Sequence, residues 1–374
     1  MTRTLLITND FPPRPGGIQS FVHQLALRQP AGSVVVYAST WRGAEKFDAD
    51  QPFEVVREPT GMLLPTPKVA RRAASLARMR GCDTVWYGAA APLGLIASGL
   101  RKGAGITRAV AQTHGHEAGW AALPGARHLL RRIGSGVDVV TYLGDFFRRR
   151  LDPVIGDRTD LRRLAPGVDV DAYHPDVDGA EVRERHRLAG RPVVVCVSRL
   201  VPRKGQDALI RALPAIRRRV PGAALLLVGG GPDRSRLAGL AAELGVERDV
   251  VLTGTVSAQE LPAHYAAGDV FAMPCRTRIR GLDVEGLGIV YLEASATGLP
   301  VVGGDSGGAP DAVRDGETGH VVDGRDIGAI ADRVGGLLDD PARARRMGAA
   351  GRAWVEREWQ WDTQAERMRT LLVE

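Results

Sequence analysis

Two cations stand five residues apart in a segment that follows a run of apolar residues. Residues 193–198 predict a buried strand, Arg199 follows it directly, and Lys204 precedes a helical pattern. An open parallel sheet binds its ligand at the carboxyl edge of the strands, where this segment would lie. Arginine donates forked hydrogen bonds and lysine is a point charge, so together they could clamp a diphosphate and stabilise its departure without a metal ion. The alternative is surface charge at the edge of the sheet.

A second segment, residues 282–293, combines glycines with two carboxylates. The glycines flank a predicted helix start, whose free amides can bind an anion. Glu285 precedes that start, and Glu293 lies about two turns further along. Carboxylates accept hydrogen bonds from polyol hydroxyls, which predicts Glu285 at a reacting hexose and Glu293 at a nucleotide ribose. Glutamate pairs at this spacing are common, so the interpretation depends on the combination with Arg199 and Lys204.

A glycine pair, Gly16-Gly17, lies between a predicted strand at residues 4–8 and a helix that starts near Ile18. Glycines at a strand-to-helix turn let backbone amides approach a phosphate. The pair matches neither the GxGxxG nor the Walker pattern, so an ordinary glycine turn is the alternative.

Histidines and aspartates occur in two short motifs that resemble metal sites. The sequence HGHE at residues 114–117 follows a predicted strand, but it is not HExxH and it lacks further ligands. We therefore interpret His114 as a hydrogen-bonding side chain. The sequence DVD at residues 169–171 falls in a predicted turn, where aspartates cap the backbone. No metal site is predicted.

Apolar and β-branched runs alternate with helical patterns along the chain, which predicts an α/β protein with two doubly wound, Rossmann-like domains. The predicted strands are residues 4–8, 34–38, 84–87, 109–113 and 137–141, then 193–198, 224–228, 250–253, 270–273 and 300–303. A turn-forming sequence at residues 165–169 marks the boundary. We expect an N-terminal domain at 1–167, a C-terminal domain at 168–353, and a final helical segment at 354–374 that packs back on the first domain.

Composition restricts the classes of protein. With 374 residues, 44% hydrophobic and 25% charged, the chain fits neither a disordered nor a polytopic membrane protein. Its three cysteines form no CxxC pair, so a disulfide framework is not expected. The longest mostly apolar stretch, residues 89–100, falls short of the ~20 residues that span a bilayer, and no secretory signal is visible. We expect a cytoplasmic protein that meets a membrane only at its surface.

The positive charge is confined to the first half of the chain. Residues 1–168 carry a net charge of +10 and the remainder −3, within a total of +7. Solvated helix faces are the ordinary explanation, and anionic lipid or nucleic acid are the two candidate partners. Aromatic residues make up only 5%, and no nucleic-acid-binding motif is present, which disfavours nucleic acid.

Taken in order, Gly16-Gly17, Arg199 and Lys204, the turn at residues 166–169 and the segment from Glu285 to Glu293 resemble the retaining glycosyltransferases of family 4. The resemblance covers essentially the whole chain and implies the GT-B fold, in which two domains face an interdomain cleft. Further segments resemble the GDP-mannose-dependent phosphatidylinositol mannosyltransferases of actinobacteria; they are residues 8–13, 62–67, 113–117, 199–207 and 281–294.

That resemblance implies a substrate pair and a role for each candidate residue. The donor would be GDP-mannose, and the acceptor the inositol 6-position of phosphatidylinositol monomannoside, at the inner face of the plasma membrane. Glu285 and His114 would hold the mannose. The donor-binding residues would be Gly16, Gly17, Arg199, Lys204, Val256 at guanine, the amides of Gly288, Ile289 and Val290, and Glu293 at ribose. Transfer would be front-face, with no enzymic nucleophile, cofactor or metal.

One segment departs from the family pattern. Residues 278–281 read RIRG, where the family is richer in glycine, and this bears on donor-sugar selectivity because Glu285 follows. A family 4 enzyme with another nucleotide sugar or a soluble acceptor, a sugar nucleotide 2-epimerase, a nonenzymic sugar-binding protein and a regulatory nucleic-acid binder are the alternatives.

Overall fold

The computed structural model describes residues 2–157 and 159–374, which form two compact units. The first unit extends to Gly167 and also contains Trp361–Glu374; the second is Val168–Gln360. Each is built on one parallel sheet, which confirms the predicted fold class of two α/β domains. No helix among the described residues combines the length and the apolar character that crossing a membrane requires.

The first unit has a seven-stranded sheet in the order β3-β2-β1-β4-β5-β6-β7. Its strands are β1 (Thr4–Thr8), β2 (Val34–Ser39), β3 (Glu54–Glu58), β4 (Thr84–Tyr87), β5 (Arg108–Ala111), β6 (Val139–Tyr142) and β7 (Asp160–Arg163). The strands next to the centre are fully buried, as apolar strands covered on both faces must be.

In the described part of the first unit, seven α-helices connect these strands. They are α1 (Gly17–Leu27), α2 (Ala44–Ala49), α3 (Pro67–Arg80), α4 (Ala97–Ala104), α5 (Glu117–Ala122), α6 (Pro124–Gly134) and α7 (Asp145–Ile155). Helix α3 illustrates the local signals that start and end a helix. Thr66 caps its first turn by accepting from the Val69 amide, and Gly81 ends it in the left-handed conformation.

The second unit has a six-stranded sheet in the order β10-β9-β8-β11-β12-β13. Its strands are β8 (Val193–Val197), β9 (Ala224–Val228), β10 (Val250–Gly254), β11 (Val270–Met273), β12 (Val301–Gly304) and β13 (Gly319–Val322). Its helices are α8 (Ala180–Arg185), α9 (Gln206–Arg219), α10 (Arg234–Glu243), α11 (Leu261–Ala266), α12 (Ile289–Ala296), α13 (Ile327–Asp339) and α14 (Pro341–Glu358).

The final helix, α15 (Trp361–Val373), belongs to the first unit. The Arg108 Nε donates to the Leu371 carbonyl oxygen at 3.0 Å, and the ring of Trp361 lies 6.1 Å from that of Phe21. The C-terminal segment starts later than residue 354, because Trp354 and Val355 on α14 are buried within the second unit.

The strand order defines where each unit can bind a ligand. In the first sheet the connection reverses direction between β1 and β4, and in the second between β8 and β11. Loops that leave the carboxyl ends of such strand pairs diverge and leave a crevice. The candidate segments that start at Asn9 and at Ser198 follow β1 and β8, so both lie at these positions.

Candidate functional site

A cluster of charged side chains lies at the crevice of the second unit. The Lys204 Nζ lies 2.8 Å from Glu285 Oε2, and the Arg203 Nη1 lies 2.6 Å from the same oxygen. Arg203 also contacts Asp283 through Nε at 2.9 Å. Glu285 is almost fully buried, so its charge depends on these cations for compensation. The structure thus joins two predicted site residues, Lys204 and Glu285, through a direct ion pair.

The loops after β8 and β11 are held together by close backbone packing. Gly205 has φ 79°, and a Cβ there would lie 2.1 Å from the Pro274 carbonyl oxygen. The Arg276 amide donates to the Arg203 carbonyl oxygen at 2.9 Å. The buried Gln206 side chain donates to Ser198 Oγ at 2.7 Å. These contacts require glycine at position 205 and bring the Lys204 loop against the segment that carries Glu285.

Arg199 differs from Lys204 in its surroundings. Its side chain is exposed, and within the described residues no carboxylate pairs with its guanidinium. Arg199 is therefore available to a ligand directly, whereas Lys204 must first exchange Glu285 for the ligand. Both are fit to bind an anion with several oxygens.

Three consecutive glycines after β9 complete this edge, and sequence reasoning overlooked them. A Cβ at Gly229 would lie 2.2 Å from the Ser198 carbonyl oxygen, and one at Gly231 would lie 2.3 Å from that of Leu200. The Gly230 carbonyl oxygen accepts from the Leu200 amide at 2.9 Å. The run GGG following a strand was the available signal. Val256, the predicted guanine contact, lies in the loop after β10 and is partly exposed.

Helix α12 starts with the predicted anion-binding amides. Gly288 has φ 76°, and a Cβ there would lie 2.5 Å from the ring of Tyr291. That ring is fixed because Tyr291 Oη donates to the Met273 carbonyl oxygen at 2.6 Å. The first amides of a helix have no partner within it, so those of Ile289 and Val290 are available to a ligand.

Glu293 lies in the second turn of α12, beside a buried tyrosine that the sequence did not indicate. Tyr265 Oη donates to Glu293 Oε2 at 2.6 Å. Burial raises the pKa of Glu293, and the hydrogen bond from Tyr265 opposes that rise. The hydroxyl group thus occupies one carboxylate oxygen and leaves the other to accept from a ligand.

The expectation from the sequence that Glu293 binds a nucleotide ribose, combined with the raised pKa of Glu293, predicts a pH-dependent affinity for GDP. An ionised carboxylate accepts hydrogen bonds from hydroxyl groups more strongly than the protonated acid does, so affinity should fall on acidification at a higher pH than for an ordinary glutamate. In Tyr265→Phe the opposing hydrogen bond is lost, and the fall should move to still higher pH. Calorimetric titration of GDP against pH measures both. A Glu293→Gln variant with the wild-type pH profile would contradict this assignment.

The crevice of the first unit contains the glycine pair. Gly16 and Gly17 are exposed, and α1 begins at Gly17 without a side-chain cap or an acidic residue in its first turn. A Cβ at Gly16 would lie 2.1 Å from Gln19 Oε1. The Gln19 side chain is held by donating to Asp10 Oδ1 at 2.7 Å. The first amides of α1 therefore face outward without a partner in the helix.

His114 follows β5 at the same edge of that sheet. Its Nε2 lies 2.6 Å from the Gly88 carbonyl oxygen, and its ring packs edge-on against Phe21 of α1 at 5.7 Å. A carbonyl oxygen can only accept, so Nε2 carries the proton and Nδ1 is left as an acceptor. Burial lowers the pKa of His114, which keeps the ring neutral at neutral pH. The buried Glu117 accepts from the His114 amide at 3.0 Å and fixes the turn.

Two further sequence interpretations concern metals and the segment at residues 278–281. In the part of the chain that the structure describes, no three His, Cys, Asp or Glu side chains are grouped to hold a metal ion.

In the segment that departs from the family pattern, Ile279 has φ 49° and is exposed, as is the adjoining Leu282. Arg278 lies 3.8 Å from Asp283. The side chain of Arg280 lies outside the described residues.

The two crevices and their glycine-rich edges define a class of protein. The family model described as glycosyl transferases group 1 matches residues 179–354, and that described as glycosyltransferase family 4 matches residues 15–172. A crystal structure of HepE from Anabaena in complex with UDP is similar over 99% of both chains, with a TM-score of 0.83 and 19% identity. The fold is that of the two-domain GT-B glycosyltransferases.

Sequence similarity to curated proteins narrows the class. The chain is 56% identical to the GDP-mannose-dependent alpha-(1-6)-phosphatidylinositol monomannoside mannosyltransferase of Mycolicibacterium smegmatis, over 98% of this chain and 97% of that one. It is 53% identical to the protein of that name from Mycobacterium tuberculosis, over 100% and 98%. The chain therefore belongs to the family of these mannosyltransferases, which confirms the resemblance seen in the sequence.

Proposed function

We propose that the protein transfers mannose from GDP-mannose to the inositol 6-position of phosphatidylinositol monomannoside with retention of configuration. The observation that carries the proposal is the identity of 56% with a relative of that name over nearly the full length of both chains. The ion-paired cluster of Lys204 and Glu285 at the β8–β11 crevice supports it, because a sugar diphosphate needs cations and hydroxyl acceptors side by side.

In this proposal each group has one task. Arg199, Lys204, and the amides of Gly17, Ile289 and Val290 bind the diphosphate. Glu293 binds the ribose, and the backbone of Val256 contacts the guanine base. Glu285 and the neutral His114, whose Nδ1 is an acceptor, hold the mannose hydroxyls.

The proposed chemistry uses the leaving group as the base. The acceptor oxygen bonds to the anomeric carbon as the bond to the diphosphate oxygen breaks on the same face, and the phosphate takes the hydroxyl proton. The cations stabilise the departing diphosphate, a task that needs no metal ion. Glu285 is a poor nucleophile in its described state, since two cations share its Oε2.

The test is transfer from radiolabelled GDP-mannose to purified phosphatidylinositol monomannoside, with and without EDTA. UDP-glucose and UDP-N-acetylglucosamine serve as competing donors. A dimannosylated lipid with an α-(1-6) linkage, formed only from GDP-mannose and unaffected by EDTA, is the expected result. Labelling from another donor, or of soluble sugars only, would support the alternative of a different family 4 reaction. Loss of activity in EDTA would overturn the metal-free mechanism.

We also propose that the first unit binds the anionic inner face of the plasma membrane peripherally. Met62 and Leu64 are 55% and 51% exposed, while Leu63 between them is buried. Asn9 holds Leu63 from both sides, because its Oδ1 accepts from the Leu63 amide at 2.6 Å and its Nδ2 donates to the Leu63 carbonyl oxygen at 2.9 Å. This clamp presents two apolar side chains just before the basic helix α3.

The ion pairs of α3 decide which of its cations are available to lipid. Arg80 pairs with both carboxylate oxygens of Glu54, and Arg78 donates to the Gly103 carbonyl oxygen. Arg71 and Arg72 are exposed and form no ion pair within the described residues. Neutralising Arg80 would leave Glu54 unpaired, so Arg71 and Arg72 are the better variants for a binding test.

Replacing Arg71 and Arg72 by glutamine should weaken binding to phosphatidylinositol-containing vesicles by about tenfold or more at low salt, since a cation near an anionic surface contributes about 1 kcal/mol. Met62→Ser with Leu64→Ser should weaken binding at low and high salt alike. Arg211→Gln with Arg218→Gln on α9 of the second unit removes the same charge and is the control. Vesicle sedimentation measures all three. Unchanged binding in the α3 variant would refute the proposed surface.

A further inference from the structure

Arg203 lies beside the diphosphate-binding lysine but has different partners. Its guanidinium contacts Glu285 Oε2 at 2.6 Å and Asp283 Oδ1 at 2.9 Å, so it bridges two carboxylates. Within the described residues, Glu285 is the one carboxylate that pairs with Lys204, through the oxygen that Arg203 also contacts. The motif that predicts Arg199 and Lys204 assigns no role to Arg203, which directly precedes Lys204.

The charges of this cluster explain why a second cation is needed. Two cations, Arg203 and Lys204, contact the almost fully buried Glu285, while Asp283 also has Arg278 at 3.8 Å. A diphosphate that recruits Lys204 takes a cation from Glu285. A buried carboxylate left without a partner is strongly unfavourable, so donor binding would be opposed unless another cation remained. Arg203 already contacts that oxygen, and its bond to Asp283 keeps it there.

We propose that Arg203 is a positioning residue that keeps Glu285 paired when Lys204 exchanges that carboxylate for the donor diphosphate. Arg203 thereby lowers the cost of donor binding and holds Glu285 in place for the sugar. The inference rests on the proposed function only in taking Lys204 as a ligand of a nucleoside diphosphate. Arg203 itself does not contact the donor in this proposal.

The loop should keep its conformation when the Arg203 side chain is replaced. Its backbone carbonyl oxygen accepts from the Arg276 amide, and the adjoining Gly205 packs on Pro274. Neither contact involves the Arg203 side chain. A glutamine at position 203 therefore tests the guanidinium group rather than the fold.

The experiment is a double-mutant cycle on GDP affinity, measured by calorimetry with wild type, Arg203→Gln, Glu285→Gln and the double variant. In Arg203→Gln, Lys204 is the only cation left for Glu285, so GDP affinity should fall about tenfold. Glu285→Gln removes the buried charge, so its GDP affinity should equal or exceed that of wild type. The double variant should then return to within about threefold of wild type.

Two outcomes would overturn the inference. A double variant as weak as Arg203→Gln would mean that Arg203 contacts the phosphate or supports the fold, because removing the Glu285 charge could not then restore affinity. Wild-type affinity in Arg203→Gln would mean that Lys204 needs no substitute. As a control, Arg278→Gln removes a cation close to Asp283 that does not contact Glu285, and it should leave GDP affinity unchanged. Arg203→Lys keeps a cation at position 203, so its GDP affinity should lie between those of Arg203→Gln and wild type.

Wild-type binding separates this inference from the proposed function. If wild type binds UDP in place of GDP, the proposed donor is wrong, and the same four proteins titrated with UDP still test Arg203. If wild type binds no nucleoside diphosphate, both are overturned. In transfer assays Arg203→Gln should also lower kcat, since an unsupported Glu285 holds the sugar less well, whereas weakened phosphate binding alone would change only KM.

Discussion

Replacing Lys204 by alanine should reduce mannosyl transfer by about 1000-fold, the largest effect expected from a single substitution in this protein. Lys204 supplies a charge-assisted hydrogen bond to the diphosphate in the bound donor, and its contribution grows as negative charge develops on the leaving group. Loss of such a bond costs about 1.5–3 kcal/mol in binding, so GDP affinity should fall about 10- to 100-fold. The remaining loss should appear in kcat.

The fold should survive this substitution, because Glu285 still has Arg203 as a partner at 2.6 Å. Radiolabel transfer and GDP calorimetry on the same preparation measure both effects. Lys102→Ala, which removes an exposed lysine near the end of α4, is the matched control and should behave as wild type. If Lys204→Ala lost less than tenfold in transfer, Lys204 would not be the ligand of the diphosphate.

Replacing Glu285 by glutamine should reduce transfer by about 100-fold or more while leaving GDP affinity within about threefold of wild type. The carboxylate accepts hydrogen bonds from the sugar, which GDP lacks, so the substitution removes an interaction that only the sugar nucleotide makes. Glutamine has nearly the same shape and keeps one acceptor oxygen, so packing around this buried position is preserved.

The same variant distinguishes a sugar contact from a structural ion pair. GDP and GDP-mannose titrated side by side should show that the affinity added by mannose disappears in Glu285→Gln. Equal losses of GDP affinity and transfer would refute a sugar-specific role. Asp283→Asn is the matched comparison. It removes the second carboxylate that contacts Arg203, and it should have a smaller effect on transfer.

The sequence predicted every strand that has neighbours on both sides, together with one edge strand, β10. Residues 4–8, 84–87 and 270–273 form β1, β4 and β11 with those bounds, since burial on two faces requires an unbroken apolar run. Three of the four edge strands in the described residues, β3, β7 and β13, were not predicted. The sequences of β3 and β7, EVVRE and DLRR, are charged because an edge strand is partly exposed.

The final domain boundary was misplaced for a related reason. Residues 341–373 form a nearly continuous helical pattern that consists of α14 and α15. Periodicity gives the buried face of each helix but not the unit on which that face packs. Trp354 packs in the second unit and Trp361 in the first, which depends on contacts distant in sequence.

The two α/β units, the strand-to-loop position of the candidate residues and the family could all be predicted from the chain's residues, because they follow from local periodicity, glycine turns and motif order. The pairing of these residues could not, and it is visible only in the fold. The fold places Lys204 and Arg203 on one oxygen of Glu285, and Tyr265 on Glu293, between segments that are 28 to 82 residues apart. Such pairing is set by which strands adjoin at the centre of a sheet, and the free energy of a buried charge depends on those neighbours rather than on its own sequence.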